Sequence, residues 1–285
     1  MIPTMETKRF QVPGGPALAY DEAGDRGATP VVLLHGLSAG RRPWSEWLGV
    51  GAALAEDHHV FALDQRGHGD SDRTPGEYLL RHFAADLVAF VDGAIGRPAA
   101  LVGHSLGGLV SAQVAATADD VMRAAVLVEI VSAAGVRNAR PPGVSTFWAP
   151  LAASLRHIHD RAGTIDDVVD MIRPMSSFLG GYDGGALDAD QLRRFAMLWH
   201  QWDPYVVDGL ADESFIAGHD ARTPIPCPVH LLRAELPPCV PSENEARFLA
   251  THPRASAQVI PGTNHFTILE SERLVEALQA FLRDA

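Results

Sequence analysis

Cysteine is nearly absent: Cys227 and Cys239 are the only two in 285 residues. Two thiols make no disulfide framework, so an apolar core has to hold the fold and both thiols are expected to be free. Long apolar runs are missing too. No stretch approaches the roughly 18 residues of a membrane span. The opening MIPTMETKRF has no apolar segment of the length a signal peptide needs, and a soluble cytoplasmic protein is expected. Positive charge is scarce: 23 Lys and Arg against 35 Asp and Glu leave a net charge of −12. That balance argues against nucleic acid or a membrane surface as partner. A small-molecule substrate is the expected partner. Repeats and low-complexity tails are absent. The pairs His58-His59 and His157/His159 have metal-like spacing, but no carboxylate or cysteine cluster accompanies them, so no metal is expected. The glycines of Asp64–Ser71 are not followed by G-K-[ST], which excludes a phosphate loop.

What is present is apolar residues in quantity, 47% of the chain against 20% charged, enough for a sizeable packed core. Lys8–Val12 and Ala17–Glu22 alternate around Pro13-Gly14-Gly15-Pro16, which predicts a hairpin. Continuous apolar runs follow at Val31–Leu34, His59–Leu63, Ala99–Val102 and Ala124–Ile130, the pattern of strands covered on both faces. Helical spacing separates them, at Trp44–Glu56 and Tyr78–Ile95. Such alternation implies an open, mostly parallel sheet with ligands at the carboxyl ends of its strands. From about residue 132 to 226 the strand signal disappears, and helical pieces at Thr146–Asp160, Ile165–Ile172 and Ala189–Trp202 take over. The rhythm resumes with a strand at Val229–Arg233, a helix at Ser242–Thr251, a strand at Gln258–Ile260 and a helix at Glu270–Arg283. We read a core of residues 1–131 and 227–285 with a helical lid, 132–226, inserted between. Large side chains crowd the lid. Trp148, Phe178, Tyr182, Trp199, His200 and Trp202 are the candidates to line a substrate pocket, though a small lid also needs aromatics for its own core.

The most informative stretch is Gly103-His104-Ser105-Leu106-Gly107-Gly108, between the strand at Ala99–Val102 and a small-residue helix. G-x-S-x-G at such a junction holds the serine on a sharp turn, and the glycines remove side chains that would collide as strand and helix close up. Ser105 is thereby a candidate nucleophile, and the Leu106 N–H at the helix start is free to bind an oxyanion. The competing reading is a plain turn with a surface serine. A serine hydroxyl needs a base and the base an orienting acid. His265, in Pro261-Gly262-Thr263-Asn264-His265-Phe266 after the last strand, is the candidate base.

With these residues the chain resembles the α/β-hydrolase superfamily over essentially its whole length. The matching segments are His35-Gly36, Asp64-Gln65-Arg66-Gly67-His68-Gly69-Asp70-Ser71, the Ser105 turn and the His265 turn. The resemblance implies a mostly parallel eight-stranded sheet with helices on both faces and an inserted lid. It also implies an oxyanion hole from the Leu37 and Leu106 amides, and a structural turn around Arg66. The acid departs from the common pattern. Where an Asp is expected after the strand at Val229–Arg233, the chain reads Ala234-Glu235-Leu236-Pro237. Glu235 is close in sequence. Glu129, at the end of the strand after the nucleophile strand, is the preferred alternative. One group of haloalkane dehalogenases and the zearalenone-type lactone hydrolases carry their acid there. The resemblance implies a serine esterase or lactonase working through a catalytic triad, with no cofactor required. Carbon–carbon bond hydrolysis, peracid formation and a non-catalytic receptor are the alternatives. Dehalogenase and epoxide-hydrolase chemistry are disfavoured, because those relatives carry Asp where this chain has Ser105.

Overall fold

The computed structural model describes residues 5–37, 39–47, 49–130, 144–175, 188–199, 201–211, 225–236 and 242–285. The chain opens with the expected hairpin, β1 (Glu6–Gln11) antiparallel to β2 (Ala17–Ala23). Then come β3 (Pro30–Leu34), β4 (His59–Leu63), β5 (Ala99–His104), β6 (Met122–Val128), β7 (Val229–Ala234) and β8 (Ala255–Ile260). Together they form one eight-stranded sheet in the order β1-β2-β4-β3-β5-β6-β7-β8. β2 meets β4 antiparallel, and every pairing from β4 to β8 is parallel. After β3 the chain leaves to β4 on one side and returns to β5 on the other. The carboxyl ends of β3 and β5 therefore flank a topological switch point, the crevice where such sheets bind ligands.

The runs without polar residues are buried strands. Every residue of β3, β4 and β5 is buried. Their side chains alternate between two cores, one on each face. Val32, Leu34, Leu101 and Leu127 face α2 (Leu80–Phe90) and α3 (Leu106–Thr117). Val31, Leu33, Ala100, Val102 and Val126 face α1 (Val50–Leu54) and α9 (Glu272–Asp284). Each fully buried Val or Leu contributes about 1.5–3 kcal/mol relative to exposure. The edge strands are cheaper in apolar surface. β1 is largely exposed, and β8 alternates between exposed and half-buried positions until it ends on buried Ile260.

Between β6 and β7 the described residues are helical: α4 (Val144–Arg161), α5 (Ile165–Ile172), α6 (Ala189–Trp199) and α7 (Val206–Ala211). A helix α8 (Ser242–Thr251) joins β7 to β8. α5 begins with a capping box in which Thr164 Oγ1 accepts from Asp167 N at 3.1 Å and Asp167 Oδ2 accepts from Thr164 N at 2.8 Å. Element ends differ from the sequence reading at several places. Trp44–Glu56 is a π-helical turn at Pro43–Trp47 followed by the short α1, with Gly49 at φ 64° between them. Tyr78–Ile95 is α2 continued by a π-helical turn to Ile95, closed by left-handed Gly96. The last helix starts at Glu272, after a 3₁₀ turn at Thr267–Glu270. No helix among the described residues is long and apolar enough to cross a membrane. Cys227 is a buried free thiol whose pKa burial pushes up to about 11; Cys239 lies outside the described residues.

Candidate active site

The end of β5 shows why the elbow needs glycine. A Cβ at Gly103 would overlap the Gly107 carbonyl, and one at Gly107 would stand 2.5 Å from the Leu34 oxygen. With both side chains absent, α3 packs directly on its own strand and on β3. Ser105 sits between strand and helix at φ 51° and ψ −113°, a conformation that costs of the order of 1–3 kcal/mol for a residue with a Cβ. Its N–H donates to Val128 O at 2.9 Å, which ties the elbow to the end of β6. Gly36, just past β3, approaches Ser105 so closely that a Cβ there would lie 3.2 Å from the Ser105 Cβ. Leu37, half-buried, and Leu106, buried, therefore flank the serine, one on the loop after β3 and one at the first turn of α3.

Glu129 is the residue after β6, directly beside Ser105 because His104 pairs with Val128 in the register. Among the described residues it is the other non-glycine residue with positive φ, at 47°. Its side chain is fully buried. Glu129 N donates to Leu232 O at 2.8 Å, and Glu129 Oε1 accepts from Ala234 N at 2.6 Å. The end of β7 thus offers Glu129 a backbone donor. Glu129 Oε2 stands 3.5 Å from His265 Nδ1, ion-pair range rather than a tight hydrogen bond. Glu235 is exposed, and its Oε2 accepts from Gly262 N at 2.8 Å, a clasp on the His265 loop.

That loop is shaped by its own side chains. Gly262 takes φ 71°, Thr263 Oγ1 donates to Ile260 O at 2.7 Å, and Asn264 Oδ1 accepts from the amides of Phe266 and Thr267. The carboxamide supplies an Asx turn, which leaves His265 at the bend. The His265 ring meets Phe266 edge-on at 5.1 Å and His104 at 4.7 Å.

A sequence profile of the alpha/beta hydrolase family matches residues 31–277, from β3 into α9. The chain belongs to the alpha/beta hydrolase family. One curated relative of this alpha/beta hydrolase is the dihydrolipoyllysine-residue acetyltransferase component of the acetoin cleaving system of Pseudomonas putida. It is 38% identical over 105 residues, 37% of this chain and 28% of the relative. Another is the 2-hydroxy-6-oxo-6-(2'-aminophenyl)hexa-2,4-dienoic acid hydrolase of Metapseudomonas resinovorans, 24% identical over 288 residues, 96% of this chain and 90% of that one. The crystal structure of the esterase RhEst1 from Rhodococcus sp. ECU1013 matches with a TM-score of 0.72 and 24% identity, over 97% of this chain and 98% of that one, a likeness of fold. The chain spans 28–43% of the length of several curated relatives that match it at 32–38% identity.

Two of the six pocket candidates in this alpha/beta hydrolase have described side chains. Trp199 and Trp202 are buried and meet edge to face at 5.8 Å. Trp202 stacks on His68, which forms a β-bridge with it, and Trp199 reaches Phe266 through Phe195. Trp148 belongs to α4, but its side chain lies outside the described residues, as do Phe178, Tyr182 and His200 altogether. The Arg66 turn is a buried ion-pair network. Arg66 grips both oxygens of Asp86, at 2.6 and 2.7 Å, and Arg41 joins Asp21, Asp64 and Asp70. Sequence reasoning placed His35 and His68 in matching segments without assigning either a role. His35 and His68 are buried with rings 4.7 Å apart. Burial, then the Arg41 charge, pushes the His35 pKa down to about 4; burial, then His35, pushes His68 down to about 3. Nothing in the spacing of either motif signals that ring contact.

Proposed function

We propose that this alpha/beta hydrolase is a serine hydrolase that cleaves a carboxylic ester or lactone of a fairly apolar small molecule through an acyl-enzyme. The observation that carries the reading is the pairing of buried Glu129 with His265 at 3.5 Å, where Glu129 follows the Val128 carbonyl that binds the Ser105 amide and His265 O lies 2.8 Å from Nε2 of the neighbouring His104. In this reading Glu129 keeps the His265 Nδ1 proton in place, so that Nε2 is the base. His265 takes the Ser105 hydroxyl proton as the oxygen adds to the carbonyl carbon. The carbonyl electron pair moves to oxygen, and the Leu37 and Leu106 amides bind that oxyanion; such donors contribute about 3 kcal/mol each to the transition state. The tetrahedral species collapses, the C–O bond to the alcohol breaks, and the alcohol leaves with the proton from His265. Water then gives a proton to the same base, adds to the acyl carbon and releases the acid, restoring Ser105. A lactone follows the same course, its alcohol staying tethered to the acyl group.

Carbon–carbon bond cleavage is the second reading. It is favoured by the match along 96% of the chain to a relative named as the hydrolase of a hexadienoic acid with a keto group. The decisive experiment treats the folded protein with a fluorophosphonate and maps the adduct by mass spectrometry. Stoichiometric labelling of Ser105, with turnover of aryl esters or lactones, is the expected result. Labelling with turnover of a vinylogous diketone but no ester moves the assignment to the second reading. No labelling, with tight binding of an intact ligand, overturns both in favour of a receptor.

A further inference from the structure

The residue between Gly103 and Ser105 takes no part in the proposed chemistry, yet it touches the base. His104 is buried, at 4% exposure. Its Nε2 lies 2.8 Å from the backbone oxygen of His265, across 161 residues of chain. A carbonyl only accepts, so Nε2 carries the proton and donates it. Burial and the adjacent His265 push the His104 pKa well below the usual histidine range, and the ring is neutral in the working range. Nδ1 is then a bare lone pair, buried and without a hydrogen-bond partner. It faces Gly36, where a Cβ would come within 2.9 Å of it. An apolar ring of similar shape would fill this space without burying an unpaired acceptor. What histidine adds over such a ring is the single bond from Nε2 to His265.

That bond joins the elbow to the backbone of the His265 loop, and the His265 ring is also paired with Glu129 at 3.5 Å. The His265 loop is held internally by Thr263 and Asn264, and to the end of β7 by Leu236 N on Thr263 O and by Glu235 on Gly262 N. Those contacts shape the loop and moor it to β7. The His104 bond registers it against the elbow itself.

We propose that His104 is a positioning residue, whose Nε2–H holds the His265 backbone over the elbow and so keeps the base aligned between Glu129 and Ser105. The proposal rests on the serine-hydrolase reading. A displacement of about 1 Å at a reacting group can cost about a hundredfold in rate, so loss of this bond acts on kcat rather than on substrate binding.

The test compares His104→Phe, which keeps a ring and deletes the donor, with His104→Gln, whose amide N–H restores one; His104→Leu serves if the Phe variant fails to fold. Expected for Phe or Leu is a 10- to 100-fold fall in kcat with KM within about twofold, and for Gln recovery to within about fivefold of the parent. In parallel, the His265 ring is titrated by NMR and amide exchange is followed at 263–267. Phe or Leu should shift the His265 midpoint and speed exchange in that segment, and Gln should do neither. Unchanged kcat in Phe or Leu, or a Gln variant as slow as Phe, overturns the proposal in favour of a packing role. If the parent neither labels at Ser105 nor turns over any ester, the serine reading falls. The titration and exchange still decide whether His104 holds His265.

Discussion

Two carboxylates competed for His265, and their surroundings separate them. Glu129 is fully buried and already accepts the Ala234 amide through Oε1, leaving Oε2 turned to the imidazole. Glu235 is exposed and occupied by Gly262 N. An amide in place of the Glu129 carboxylate keeps the shape but favours the wrong tautomer of the base and loses the charge that stabilises an imidazolium. Glu129→Gln is therefore expected to lower kcat about a thousandfold or more, with KM little changed. Glu235→Gln still offers Gly262 an acceptor and should stay within about twofold of the parent. Steady-state kinetics on a single aryl ester reads both, and the reverse ranking would rule out Glu129 as the acid of the proposed triad.

The elbow around Ser105 is a contact between a strand and the helix that follows it, and its tolerance is set by backbone atoms that cannot step aside. A flexible side-chain tip can move away from an added methyl group; the Gly107 carbonyl, fixed in the first turn of α3, cannot. Gly103→Ala should thus destabilise the fold by about 1–3 kcal/mol, the usual range for overpacking a tight contact. It should also cut kcat, since α3 must back away and carry Ser105 and the Leu106 amide with it. Denaturant unfolding and kinetics on the same variant check the two halves. An Ala variant with parental stability and rate would mean that strand and helix are less closely apposed than described. The same logic explains the ends of elements that sequence reading blurred. Helical periodicity runs on through Trp44–Glu56, but Gly49 at φ 64° divides the segment into a π-helical turn and a separate short helix.

For the molecule as a whole, the two histidines buried under the site link stability to pH. His35 and His68 are neutral in the fold, with pKa values pushed down to about 4 and about 3, against 6.5 for an ordinary histidine. Between about pH 6.5 and those values the unfolded chain binds protons that the native state refuses. Stability therefore rises with pH across that window and is fully present above about pH 6.5. The melting temperature is expected to hold from pH 8 to 7 and to fall steadily as the pH drops from 6.5 towards 4. His68→Gln should flatten part of that slope. A melting temperature independent of pH from 7 to 4 would mean that these rings do not stay neutral in the fold.

Local chemistry was readable from the residues in order. Apolar runs with no polar interruption became the strands buried on both faces. Gly103 and Gly107 bracketed a serine in a strained turn, and Gly-Thr-Asn-His made an Asx-stabilised bend. Each of these depends on neighbours within a few positions, where backbone sterics and side-chain period leave little choice. Which carboxylate stands beside His265, and what His104 touches, depend instead on the register of β5 against β6 and β7, which brings residues 104, 129, 234 and 265 together from distant parts of the chain. Parallel strands joined by long crossovers have no local turn to set that register. It emerges only when the two faces of the sheet are buried at once, so the sequence could prefer Glu129 over Glu235, but only the tertiary structure sets the Glu129 carboxylate beside His265.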